Sequence, residues 1–122
     1  MGARGPRKGN VLDISVSTHD NGITELGVTG RLNMVTAARV RDAIQTAVDN
    51  NRGRVAVDLS GVVFLDSSGL GALIAGLKTA REAGGDVRLV RPTEQVELVL
   101  DLTNMGSVLK TFDSVQSAYP ND

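Results

Sequence analysis

The sequence predicts an α/β domain: a mixed sheet of about five strands with helices packed mainly on one side, in the order ββαβαβαβα. Three observations carry that prediction. Short aliphatic runs of strand character alternate along the chain with stretches of helical periodicity. The first two strand runs are separated by Asp20-Asn21-Gly22, which has the chemistry of a hairpin turn. Every later pair of strands is separated by a helix-length segment, and such crossovers impose a largely parallel, right-handed arrangement.

The elements follow in order. Leu12, Ile14 and Val16 alternate with polar residues as a first strand, and Ile23, Leu26 and Val28 carry the second. After Gly30-Arg31-Leu32-Asn33, read as a turn, Val40, Ile44, Ala47 and Val48 recur at helical spacing up to about Asn50, with Arg41 and Asp42 off that stripe. Val55-Ala56-Val57-Asp58-Leu59 is a short, mostly β-branched run, as expected of a central strand covered on both faces. Leu70, Leu73, Ile74 and Leu77 mark a second amphipathic helix that begins at Ser67 or Ser68 and ends at Gly84-Gly85. Val87 to Val90 is a further strand, and Thr93 caps a helix carrying Val96, Val99 and Leu100. Val108 to Phe112 reads as the last strand, with Asp113-Ser114 capping a short helix through Ala118. The domain is expected over residues 11–119, between a flexible basic tail at 1–10, with Arg4, Arg7 and Lys8 among glycines and a proline, and a C-terminal tail at 120–122.

Composition bounds the function. Hydrophobic residues make up 41% of the chain but aromatics only 2%, so the core is aliphatic. A net charge of −1, from 13 basic and 14 acidic residues, supplies no basic field for a nucleic acid backbone. With no Cys and a single His, the chain cannot build a disulfide framework or a thiolate nucleophile, and it is poorly supplied for a Ser/His/Asp triad. His19 falls in the hairpin turn as a solvated residue, and no Gly-x-Ser-x-Gly elbow surrounds Ser67. Ser68-Gly69-Leu70-Gly71 lacks the lysine of a P-loop and the full dinucleotide fingerprint. Glu94, Glu97, Asp101 and Lys110 read as solvated faces. No run is long enough to cross a bilayer and the N-terminus has no apolar signal core, so the expected location is cytoplasmic; no cofactor or metal is called for.

One segment concentrates chemistry. A buried strand delivers Asp66, Ser67 and Ser68 to the start of a helix, where unpaired N–H groups and partial positive charge favour short oxygen-bearing side chains. That accounts for Asp66 and Ser67 as simple caps. The same position also accepts a phosphate, favoured by roughly 0.3–1 kcal/mol, which alters the surface without unfolding the domain. Gly69 and Gly71 fit either close approach of a partner or tight packing on the sheet.

The run Val57-Asp58-Leu59-Ser60-Gly61-Val62-Val63-Phe64-Leu65-Asp66-Ser67-Ser68-Gly69-Leu70-Gly71 resembles the signature of STAS-domain anti-sigma factor antagonists, and the likeness extends from Leu12 to Ala118. The resemblance implies a STAS (SpoIIAA-like) domain and a non-enzymatic role. In that role the unphosphorylated protein binds an anti-sigma factor with serine-kinase activity and frees the sigma factor. Phosphorylation at Ser67, with Ser68 its less favoured neighbour, switches binding off, and a serine phosphatase restores it; ATP belongs to the partner. The partner-binding surface it implies comprises Arg31, Asn33, Asp66, Ser67, Ser68, Gly69 and Leu70. This chain departs from the family's Gly-Glu-Leu-Asp: Arg31 and Asn33 replace two acidic residues, a change of about +3 in local charge that bears on partner choice and kinase recognition. Similar modules also serve in stress-sensing assemblies or as soluble accessory subunits of membrane lipid transporters.

Overall fold

The computed structural model describes residues 12–51 and 53–120. The basic tail expected at 1–10 lies outside them, as do residue 11 and the last two residues of the expected C-terminal tail. In chain order the elements are β1 (Leu12–Thr18), β2 (Thr24–Leu32), α1 (Ala37–Asn51), β3 (Arg54–Leu65), α2 (Ser67–Glu82), β4 (Asp86–Val90), α3 (Glu94–Leu102), a 3-10 turn (Met105–Ser107), β5 (Thr111–Phe112) and α4 (Val115–Ala118). The strands lie side by side in sequence order in one five-stranded sheet. The β1–β2 pair is antiparallel and the other neighbours are parallel, as a hairpin followed by crossovers requires.

The main core lies between the sheet and α1, α2 and α3. Leu26, Val28, Val55, Val57 and Leu89 from the strands meet Val40, Ile44, Leu70, Leu73, Leu77, Val96 and Leu100 from the helices. Gly76 lets α1 and α2 approach, since a Cβ there would stand 2.5 Å from Ile44 Cδ1. A smaller cluster of Ile23, Ala56, Val90, Ala118 and Tyr119 lies under α4 on the opposite face. Consecutive residues of β3 therefore serve different cores, which is why this strand reads as a continuous apolar run.

Two sequence expectations about the strands need correction. Gly30-Arg31-Leu32 is not a turn: these residues continue β2, paired with Val62, Phe64 and Leu65 of a β3 that runs well past Leu59. Gly30 supplies a φ of +116° where the register slips, so the glycine serves a bulge inside the strand. The last strand is confined to Thr111–Phe112, because Val108 and Leu109 close the 3-10 turn through bonds to the Met105 carbonyl. Leu109 is fully buried, so its apolar signal reported core packing rather than strand. The alternation in β1 forms the expected strand, with Leu12 buried and Val16 65% exposed. His19 keeps its side chain 38% exposed beside the hairpin turn and is hydrogen-bonded through Nε2 to Glu25 at 2.9 Å.

Tyr119 fastens the C-terminal segment to the sheet. Its ring lies under the Arg88 guanidinium, and its hydroxyl oxygen is 2.9 Å from the carbonyls of both Val55 and Asp86, donating to one at a time. Burial pushes this hydroxyl well above the ordinary phenol range, against the pull of Arg88. A raised folded-state pKa makes the contribution full below the unfolded value of about 10 and progressively lost above it. Urea titrations should show stability falling between pH 10 and 12 by up to about 1.4 kcal/mol per pH unit from this group. Tyr119→Phe should remove that component and cost about 1–2 kcal/mol at neutral pH, since the one O–H donor shared by the two carbonyls is lost.

Candidate functional site

The site is built where β2 and β3 end side by side. β4 pairs with β3 only from Arg54 to Asp58, so the second half of β3 needs other partners on that edge. The start of α3 supplies them. Thr93 Oγ1 donates to the Val62 carbonyl at 3.1 Å, and the Gln95 side-chain amide pairs with the backbone of Leu65 as a strand would. Leu65 N–H donates to Gln95 Oε1 at 2.8 Å, and Gln95 Nε2 donates to the Leu65 carbonyl at 3.2 Å. On the other side, Asp66 N–H donates to the Leu32 carbonyl at 3.2 Å.

This clamp fixes Asp66 as the N-cap of α2, extended at φ −111° and ψ −174°, with Oδ1 accepting from Gly69 N–H at 2.9 Å. The Asp66 carbonyl takes the first helical bond, from Leu70 N–H at 2.9 Å. Ser67 is the first residue of α2; its side chain is exposed, and its hydroxyl has no hydrogen-bond partner among the described residues. Ser68 is half-buried. No acidic residue occupies the first turn of α2, so negative charge added at Ser67 meets the positive end of the helix with Asp66 as its acidic neighbour. His19, the one histidine of the chain, lies at the hairpin end of the parallel strands, opposite the end that carries Ser67.

Gly69 and Leu70, expected on the partner surface, are buried and hold the site from within. A Cβ on Gly69 would stand 2.3 Å from the Leu32 carbonyl oxygen and 2.8 Å from side-chain carbons of Leu32 and Leu65. Gly71 has nothing within 4 Å. Of the two roles open to these glycines, Gly69 thus takes packing on the sheet.

Arg31 and Asn33 are brought beside this helix start by the Leu32–Asp66 bond, and they do different things. Arg31 is exposed, with its guanidinium 4.5 Å above the centre of the Phe64 ring. Asn33 organises the β2–α1 loop: its Oδ1 accepts from Val35 N–H at 3.0 Å and Thr36 N–H at 3.3 Å. The buried Thr36 hydroxyl accepts from Asn33 N–H at 2.9 Å and donates to the Arg31 carbonyl at 2.8 Å. The tied loop displays Met34 and Val35, 77% and 78% exposed. Val63 joins them in exposure because the register passes from Gly30–Val62 to Arg31–Phe64 and leaves it extruded.

Sequence reasoning missed Met34, Val35, Val63 and Gln95. Met34-Val35 carried a signal, an apolar pair between two turn-forming residues with neither strand nor helical period. Val63 and Gln95 gave none, since extrusion by a bulge and pairing across 30 residues are properties of the fold. Gln95→Ala should cost about 1–3 kcal/mol by leaving the Leu65 backbone unpaired. Hydrogen exchange should rise at Leu65 and Asp66 while the β1–β2 hairpin keeps its protection; unchanged exchange at Leu65 would refute the clamp.

These features define a small α/β module that presents a serine hydroxyl at a helix N-terminus beside an exposed apolar loop. The chain belongs to the STAS domain family, whose model matches residues 15–118. It is similar to a Thermotoga maritima protein whose name marks it as a candidate anti-sigma factor antagonist, 39% identical over 70 residues, covering 56% of this chain and 62% of that one. It is also similar to the anti-sigma-F factor antagonist RsfB of Mycobacterium tuberculosis, 35% identical over 77 residues, covering 63% of this chain and 60% of that one. The chain thus spans about three fifths of the length of these two relatives. Among solved structures, an anti-sigma factor antagonist from Mycobacterium paratuberculosis superposes with a TM-score of 0.75 at 28% identity, covering 88% of this chain and 90% of that one.

Proposed function

We propose that this protein is an anti-sigma factor antagonist that, unphosphorylated, binds a kinase-type anti-sigma factor and thereby frees a sigma factor, and that phosphorylation of Ser67 ends the binding. The observation that carries this reading is the Ser67 hydroxyl, exposed and unengaged at the start of α2 while its neighbour Asp66 does the capping. A serine needed as the cap would be spent on the backbone; this one is left over for a partner. The names of the relatives agree with the antagonist part of this reading.

The contact surface is Ser67, Ser68 and the rim of Asp66, with Arg31 and the Met34-Val35 pair displayed by Asn33. The apolar pair supplies area to bury, and Ser67 supplies the switch. Arg31 gives this surface a cation where the family pattern has an acid, which selects a partner with a complementary acidic group. The kinase brings the ATP, a serine phosphatase reverses the modification, and the setting is the cytoplasm.

The test is incubation with candidate anti-sigma kinases and ATP, followed by mass-spectrometric mapping of phosphate and binding assays on the wild type and Ser67 variants. Phosphate on Ser67 together with loss of binding establishes the switch. Binding without modification by any kinase makes the protein a constitutive antagonist. Copurification with a membrane transporter, and no anti-sigma factor bound, would support the accessory-subunit role instead.

A further inference from the structure

We propose that β1 is a dimerisation edge, pairing antiparallel with β1 of a second copy about a two-fold axis at Val16. Among the described residues, β1 is the outermost strand of the sheet. The hydrogen-bond phase shows which backbone groups it offers. His19 N–H donates to the Ile23 carbonyl at 2.9 Å, closing the hairpin, so Ser17, Ser15 and Asp13 face β2, opposite Glu25, Gly27 and Thr29. Ile14, Val16 and Thr18 therefore turn their N–H and carbonyl groups outward. Leu12 lies in the same outward phase, and its carbonyl is taken by the Arg39 guanidinium at 2.6 Å, which confirms the assignment and marks where the free edge begins.

Among the described residues, this edge lacks the usual protection against pairing. From Leu12 to Thr18 it holds no proline, no lysine and no slip in register, and its residues Ser15 to Thr18 are all exposed. Beside it, a groove of about 340 Å³ opens between β1 and α1, lined by Val16, Leu26, Ala43 and Ala47 with a rim of threonines and Asn50. Val16, 65% exposed, stands at that groove with its outer side uncovered.

A second copy fits this edge by register and by charge. With the axis at Val16, each Val16 faces the other, and Ile14 of each copy pairs with Thr18 of its mate, so every outward backbone group from Ile14 to Thr18 gains a partner. The two valines lie together over the paired grooves. On the other face the same register sets Ser15 opposite Ser17, and Asp13, the one charged residue of β1, opposite His19 of the second copy, whose Nε2 is bonded to its own Glu25. No like charges stand directly opposite one another across the paired strands, and a two-fold pair closes without leaving a new edge to propagate. Ser67 itself, at the junction of β3 and α2, stands two strands in from this edge.

Sedimentation equilibrium over micromolar to millimolar concentrations should show a monomer–dimer equilibrium for the wild type. Val16→Lys, which sets two cations on the axis, should raise the dissociation constant at least about tenfold, with circular dichroism unchanged because the side chain is exposed in the monomer. Val16→Ile should keep the dimer. The chain has no cysteine, so under oxidation Val16→Cys should form disulfide-linked dimers, whereas Asp101→Cys on exposed α3 should not. A monomer throughout this range overturns the proposal, as would a dimer indifferent to Val16→Lys that Val16→Cys fails to trap. An edge that serves instead to take up an extended peptide from another protein would give the monomer.

Discussion

Gly69→Ala should destabilise the domain by about 3 kcal/mol, at the upper end of overpacking costs, and lower its melting temperature by roughly 10 °C. The added methyl would stand 2.3 Å from the Leu32 carbonyl oxygen. That oxygen cannot swing aside as a flexible side chain could, because it accepts the Asp66 N–H that joins β2 to the start of α2. Relief requires the first turn of α2 to lift off the sheet, which breaks the Asp66 cap as well. Gly71→Ala is the matched control two residues on: its Cβ meets nothing within 4 Å, and alanine in a helix interior should stabilise by roughly 0.5–1 kcal/mol. Thermal melts of the two variants should move in opposite directions. Equal shifts would mean that Gly69 is not the contact that seats α2.

The contrast between these glycines shows what a sequence of this kind reveals and what it withholds. Both sit in one Ser68-Gly69-Leu70-Gly71 string, and nothing local separates them. Only the fold, by laying the first turn of α2 over Leu32, makes one indispensable and the other replaceable. The elements themselves were legible where periodicity and burial coincide. Leu70, Leu73 and Leu77 recur at helical spacing and are buried, and Thr93 and Ser114 cap the helices expected of them. Legibility failed where a signal had a second physical cause. Gly30 reads as a turn because positive φ is commonest in turns, yet a bulge needs it too. Leu109 extends an apolar run, but its burial comes through a 3-10 turn.

The candidate site divides the same way. Asp66 as cap and Ser67 at the helix start follow from local chemistry, because capping is a contest among neighbours in sequence. Asn33 was legible as a polar loop residue but not as the organiser of that loop. Its effect on a partner runs through the display of Met34 and Val35, which only the closed Asn33–Thr36 bonds make visible. Arg31 gains its setting from a register partner, Phe64, far along the chain. Charge at a given position is readable from sequence; the face it serves is not.

Ser67→Asp should abolish partner binding without weakening the fold, a loss of about 3–4 kcal/mol, or a few hundredfold in affinity. The separation of the two effects is the force of this prediction. Because the Ser67 hydroxyl has no partner within the described residues, Ser67→Ala should change stability by less than about 0.5 kcal/mol and keep binding. An aspartate at the same position meets the positive end of α2 and should stabilise the domain by roughly 0.3–1 kcal/mol, less whatever repulsion the neighbouring Asp66 exerts. The charged form should therefore melt no lower than the alanine form while binding far more weakly, an ordering that misfolding cannot produce. The weakening comes from the interface, where a carboxylate must be desolvated beside the Met34-Val35 pair. Calorimetric titration of an anti-sigma factor into the three forms, with melts run alongside, reads both quantities. If Ser67→Asp binds as tightly as the wild type, the charge on Ser67 is not what the partner senses, and the phosphorylation switch fails while the STAS fold stands.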